Sequence, residues 1–123
     1  MNESLISIVA PLEADSDARV IEAFIQETAA VLSGIVTHHE IILVDDGAPN
    51  ATVDRVRELL GTHDFLRLIR LSRHFGEEAA ITAGLEVAIG DYVVVMLPKR
   101  YWFRFRVPEG ARLTSTTPPA IPP

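Results

Sequence analysis

Four short runs of aliphatic and β-branched residues, separated by helix-length amphipathic segments, constrain this chain more than any other feature. The runs are Leu5 to Ala10, Ile41 to Val44, Phe65 to Leu71 and Tyr92 to Leu97. Each has the length and residue types of a buried strand. Between the first two, Ile21, Phe24, Ile25, Thr28 and Leu32 recur at helical spacing and predict a helix from about Ala18 to Leu32. Polar residues from Glu13 to Asp17 offer its N-cap, Gly34 its stop, and Pro11, which cannot donate to a ladder, is the expected end of the first strand. A second helix is predicted over Ala51 to Leu60, with Val53, Val56 and Leu60 inward and Gly61 as terminator. A third, over Glu77 to Ala88, is rich in Ala and Gly, so it can lie close to a sheet. The alternation β-α-β-α-β-α-β predicts an α/β fold: a Rossmann-like parallel sheet of about four strands in the order 3-2-1-4, with three helices on its two faces. In such sheets ligands bind outside the carboxyl ends of the strands. Those ends carry Pro11 to Glu13, Asp45 to Gly47 and Ser72 to Gly76.

The 123 residues suffice for one domain, and 48% hydrophobic with 23% charged residues is ordinary globular composition. Charge divides the chain. Residues 1–98 carry 16 acidic and 6 basic side chains, whereas residues 99–123 carry 5 basic and 1 acidic. An acidic body is the wrong sign for phosphate contacts, so nucleic acid is not an expected partner. The break places a boundary near Pro98: residues 1–97 form the expected domain, and 98–123 a basic and aromatic, then Pro-rich, tail without regular structure. There is no cysteine, no apolar run near the roughly 18 residues of a membrane span, and a polar start unlike a signal peptide. The cytoplasm is the expected compartment.

Two places carry candidate chemistry. Asp45-Asp46-Gly47 sets adjacent carboxylates at a strand end, where one can accept hydrogen bonds from a base N–H or a ribose hydroxyl. Alone, the triplet is as readily a turn. Arg73, just before a helix N-terminus, can pair with a phosphate, or can simply be a surface Arg beside Phe75. Neither a G-x-x-x-x-G-K-[ST] loop nor a G-x-G-x-x-G turn is present. His38-His39 lacks a third ligand at metal-site spacing and reads as a solvated pair just ahead of a strand; His63 carries no signal.

Taken together, SIVAPLEAD, EIILVDDGAPNAT and LSRHFGEEAAITAGLEVAIGDYVVVM resemble the family-2 glycosyltransferases of GT-A fold, over roughly residues 5–97. VDDG followed about 25 residues later by LSRxFG, AGL and GDYVVVM is similar to the polyisoprenyl-phosphate transferases in particular, such as dolichol-phosphate mannose synthase. The resemblance implies a UDP- or GDP-linked nucleotide-sugar donor and a lipid-phosphate acceptor, used by full-length relatives at the cytoplasmic face of a membrane. It makes Pro11, Leu12 and Glu13 the loop that frames the nucleoside, Asp46 with Asp45 the acidic group on the base, and Arg73 the basic residue near the donor.

The pattern also departs from the family. Leu12 stands where an aromatic is usual, Glu13 where Asn is usual, and Glu77 where Lys is frequent. After Met96 the family continues into Asp-x-Asp, whose carboxylates hold Mg²⁺ or Mn²⁺; this chain reads Leu97-Pro98-Lys99. No cofactor is therefore expected in this chain and no catalytic residue is assigned. A reading frame shifted or ended at about Leu97 would account for the change, and the DNA after the Met96 codon tests that. The expected function is a truncated glycosyltransferase that binds nucleotide at most. The alternative is a non-catalytic α/β signalling or partner-binding module, although a receiver-type domain would need an Asp where Leu71 and Ser72 stand. An exposed sheet edge leaves oligomerisation open.

Overall fold

The computed structural model describes residues 2–98. It contains β1 (Asn2–Leu12), α1 (Ala18–Ser33), β2 (Val36–Asp45), α2 (Asn50–Leu60), β3 (Leu66–Arg70), α3 (Glu77–Val87) and β4 (Tyr92–Val95). The strands form one sheet in the order β3-β2-β1-β4, parallel at each interface, as the alternation predicts. The tail expected over residues 98–123 lies, beyond Pro98, outside the described residues.

Helices α1 and α2 cover one face of the sheet. There Ile6, Ile8, Ala10 and Leu12 of β1 pack with Ile41 and Leu43 of β2, with Ile21, Phe24, Ile25 and Leu32 of α1, and with Val56 and Leu59 of α2. The other face is narrower: Val9, Ile42 and Val44 lie under Ala80 of α3. Central strands clothed on both faces read as the continuous apolar runs of the sequence. Phe24, wholly buried, is the largest side chain of the first core, and Phe24→Ala is expected to cost about 3–5 kcal/mol. Helix α3 approaches as closely as its small residues predict: a Cβ on Gly84 would overlap Val9 Cγ1 and crowd Val44.

Several boundaries differ from expectation, each for a physical reason. Pro11 does not end β1. Val9 O accepts from Met96 N on the β4 side, and Leu12 O accepts from Asp46 N on the β2 side. Backbone groups alternate between sides, so the N–H that Pro11 lacks would point to the β4 side, beyond the last pairing of that strand at Val95. The strand passes through the proline without losing a bond. At its other end β2 starts at Val36, so His38 and His39 stand in the sheet rather than in a loop ahead of it. His39 is half-buried against Phe65, with ring centroids 4.9 Å apart, and its Nε2 is buried without a hydrogen-bond partner among the described residues. Burial holds its pKa below the usual value. On α1, Thr28 is half-buried while the other four expected residues are fully inward. On α2 the inward residues are Thr52, Val53, Val56 and Leu59, with Leu60 half-buried at the rim. On that inward face the Thr52 hydroxyl donates to Ser16 O across to the β1–α1 loop, which satisfies it.

Candidate functional site

The carboxyl ends of β1 and β2 and the connection after β3 converge as the topology requires. Leu12 and Asp45 are paired in register, as are Asp45 and Arg70, and Leu71 N donates to Asp45 O. Both carboxylates of the acidic pair are buried, Asp45 at 3% exposure and Asp46 at 0%. Two adjacent buried carboxylates require donors for every oxygen, and the structure supplies them.

Asp45 faces the turn that follows it. Its Oδ1 accepts from Gly47 N at 3.1 Å and Ala48 N at 2.8 Å, and its Oδ2 accepts from Arg70 Nε at 2.9 Å. This side chain therefore shapes the β2–α2 turn and is neutralised by a cation on the neighbouring strand.

Asp46 faces the opposite way, toward the β3–α3 loop. Its Oδ1 accepts from Phe75 N at 2.7 Å, and its Oδ2 accepts from Gly76 N at 3.1 Å. The His74 ring completes the shell: with its proton on Nδ1 it donates toward Asp46 O at 3.1 Å and Oδ2 at 3.2 Å. Gly76, the N-cap of α3, has φ 109°, which an L side chain rarely adopts. This backbone turn is what directs the two N–H groups at the carboxylate. The N-terminal end of the α3 dipole also favours negative charge there.

The remaining sequence candidates divide. Pro11 and Leu12 are buried, Leu12 within the core on the α1 side, so that it meets Asp46 through its backbone carbonyl. Glu13 is half-buried and held in a separate turn, donating its N–H to Ser16 Oγ at 2.8 Å. Arg73 is exposed, with its guanidinium 4.7 Å from the centroid of the Phe75 ring. The structure thus joins Leu12, Asp45, Asp46 and residues 74–76, and leaves Glu13 and Arg73 as flanking polar groups.

Sequence reasoning missed two residues. Arg70, at a strand end, would have been found by placing β3 in register with β2, which sets it opposite Asp45. His74 was in plain view beside Arg73, but nothing in its spacing signals that its ring turns back to Asp46.

A divalent metal, which the resemblance implies for the full-length proteins, does not fit the residues described. Both carboxylates of the acidic pair spend their oxygens on protein donors, and no group of three or more His, Asp or Glu side chains among the described residues is placed to hold an ion.

Comparison with known proteins agrees with this architecture. The glycosyl transferase family 2 pattern matches residues 17–96. A dodecaprenyl-phosphate galacturonate synthase of Rhizobium johnstonii is 32% identical over 92 residues, which is 74% of this chain and 27% of that protein. An undecaprenyl-phosphate 4-deoxy-4-formamido-L-arabinose transferase of Pseudomonas fluorescens is 33% identical over 93 residues, 74% of this chain and 26% of that protein. The chain therefore spans about a quarter of the length of these relatives. Among solved structures, a mannosyltransferase of Pyrobaculum calidifontis in complex with GDP-Man and Mn²⁺ superposes with a TM-score of 0.61 at 22% identity, covering 80% of this chain and 28% of that one; this likeness establishes the GT-A type of fold. With the family pattern covering most of the described residues, and the sheet order and acidic strand end in agreement, the chain belongs to glycosyl transferase family 2.

Proposed function

We propose that this chain is the nucleotide-binding part of a glycosyltransferase, taking the nucleoside diphosphate of a UDP- or GDP-linked sugar at the carboxyl end of its sheet. The observation that carries this reading is the convergence of the buried Asp45–Asp46 pair with the 72–76 loop at the strand ends where α/β sheets bind ligands. In the proposed complex Asp46 accepts from the base N–H and Asp45 keeps the adjoining turn in shape. Pro11, Leu12 and Glu13 frame the nucleoside along the end of β1, Leu12 through its backbone, and Arg73 meets the diphosphate beside the N-terminus of α3. The acceptor class we propose for the whole protein is a polyisoprenyl phosphate at the cytoplasmic face of a membrane. Polyprenyl phosphates stand in the names of both relatives described above. Among the described residues no helix is long and apolar enough to cross a membrane. The outer edge of β4, which pairs with no strand among the described residues, is the proposed surface for pairing with a second copy, which light scattering would register as a dimer mass.

Calorimetry with UDP, GDP and ADP tests the core of this proposal. Binding of UDP or GDP, weakened by Asp46→Ala and exceeding any binding of ADP, is the expected result; heats at background for all three nucleotides would overturn it. Because the metal does not fit, sugar transfer from UDP-glucose or GDP-mannose to a short polyprenyl phosphate is expected to stay at background with this chain. Turnover that disappears in Asp46→Ala would overturn that part.

A further inference from the structure

Among the described residues, every hydrogen bond that ties positions 72–76 to the sheet ends on Asp46. The loop has little else to hold it. Ser72, Arg73, His74 and Phe75 are exposed, and Phe75 is 49% exposed despite its apolar ring. The ring faces the guanidinium of Arg73, within the same loop. The His74 side chain is 66% exposed yet lies across Gly47, where a Cβ would stand 3.5 Å from His74 Cβ. Asp46, beneath, is at 0% exposure. A ligand donor cannot reach this carboxylate while the loop stays down, because its oxygens are both occupied and covered.

We propose that Asp46 is the catch of a latch: loop 72–76 and the nucleobase compete for the same carboxylate, so that nucleotide enters as the Phe75 and Gly76 amides let go. This deepens, and rests on, the reading of Asp46 as the base acceptor. The exchange is like for like in kind. The loop offers N–H donors from Phe75 and Gly76; in a nucleotide, uracil offers its one ring N–H and guanine its ring N–H with the exocyclic amino group, so neutral N–H donors on a carboxylate replace neutral N–H donors. Two features suit the loop to release. First, the described shell of Asp46 contains no Lys or Arg, so no permanent ion pair has to be broken. Second, the loop's exposed side chains lose little buried area on lifting, and segments of that kind occupy the low-stability end of a fold. The positive φ of Gly76 at the foot of the loop provides a hinge position that a side chain would restrict.

Amide hydrogen exchange on the unmodified chain tests the latch. In the free protein the Phe75 and Gly76 amides should be protected relative to Ser72 and Arg73. Saturation with UDP or GDP, verified by calorimetry, should accelerate exchange of those two amides about tenfold, the factor corresponding to one net hydrogen bond. Binding with exchange at Phe75 and Gly76 unchanged or slower would overturn the latch while leaving nucleotide binding intact. Absence of any nucleotide binding would defeat the functional reading, and the competition would fall with it. Asp46→Asn in the free protein gives an independent readout of the catch. It should release the same two amides and open the Arg73–His74 bond to trypsin, with the Ile42 and Val44 amides of β2 still protected. If Asn unfolds the chain, His74→Ala, which removes only the exposed arm of the catch, should raise tryptic cleavage at Arg73 several-fold; cleavage at the unmodified rate would count against the proposal.

Discussion

On the face of β2 that looks toward α3, a carboxylate stands on either side of the apolar pair Ile42 and Val44. Glu40, Ile42, Val44 and Asp46 alternate along the strand and the residue after it, so the two acids are six residues, about 20 Å, apart. Helix α3, with 11 residues and about 16 Å of length, lies between them over Ile42 and Val44. Both acids are buried, Glu40 at 5% exposure, and both tie down the chain next to the helix. Glu40 accepts from Ile89 N at 2.9 Å, from Ser7 Oγ at 2.5 Å and from Arg67 at 2.8 Å, while Ser7 Oγ in turn accepts from Gly90 N. The difference lies in the counter-charge. Glu40 sits at the C-terminal, negative end of α3, where an anion is disfavoured, and Arg67 offsets this by also donating to Val87 O. Asp46 sits at the favourable end and, among the described residues, is held by N–H groups and a His ring. One end of the helix is sealed by an ion pair; the other is closed by hydrogen bonds that a ligand can replace.

The largest effect that would break this contrast is on stability. Glu40→Ala leaves Arg67, the Ser7 hydroxyl and the Ile89 amide without their common partner, and is expected to cost about 3–5 kcal/mol in urea unfolding. Asp46→Ala exposes its orphaned donors to water as soon as the loop lifts, and should cost less, about 1–3 kcal/mol. A larger loss at Asp46 than at Glu40 would reverse the assignment of structural and exchangeable ends.

Acid sensitivity sharpens the same contrast. Burial pushes the Glu40 carboxyl up, but the hydrogen bonds from Ile89 N, Ser7 and Arg67, with the Arg67 charge, together outweigh it and hold the pKa below its ordinary 4.5. A carboxyl depressed in the folded state contributes stability that is present above the unfolded pKa and lost as pH falls through the folded one. Unfolding free energy should therefore decline below about pH 4.5, and the decline should be shallower in Glu40→Gln, measured against the same variant's own stability at pH 7. Equal slopes in the two proteins would remove Glu40 as the acid-labile group.

The architecture was legible in the residues because it rests on pattern. The apolar runs gave the strands, their alternation with helical periods gave the order 3-2-1-4, and the small residues of α3 announced its close approach to Val9. The site was legible only in outline. Asp45 and Asp46 stood at the strand end as expected, yet their opposite directions follow from strand alternation, which was not carried past Val44. Glu40 was passed over as a polar flank of a strand taken to start at Ile41. Its partners are remote in sequence, and only register reveals them: Ser7 faces Glu40 directly across β1 and β2, and Arg67 lies opposite Ile42, one place along the same face. Pro11 misled because a proline's cost depends on which neighbour its missing N–H would face, and that is a property of the sheet.

The smallest expected effect concerns Arg73, and it separates a held group from a mobile one. Arg73 and Asp46 are both candidates to meet the nucleotide, but one is exposed on the latch and the other is buried under it. An exposed guanidinium on a phosphate is screened by salt and must be ordered from many rotamers, so its contribution is modest. Its contact with Phe75, 4.7 Å from the ring centroid, is likewise worth only about 0.5–1 kcal/mol at an exposed site. Arg73→Ala should therefore leave the unfolding midpoint unchanged and weaken UDP or GDP binding less than about tenfold. The same loss should shrink further as salt is raised from low to physiological ionic strength. Asp46→Ala should weaken binding more and with little salt dependence, because a covered carboxylate is poorly screened. Calorimetric titrations of both variants at two salt concentrations decide the ranking. Equal losses with equal salt dependence would place both groups in one solvent-exposed anion site, and the distinction between a buried acceptor and a peripheral cation would not survive.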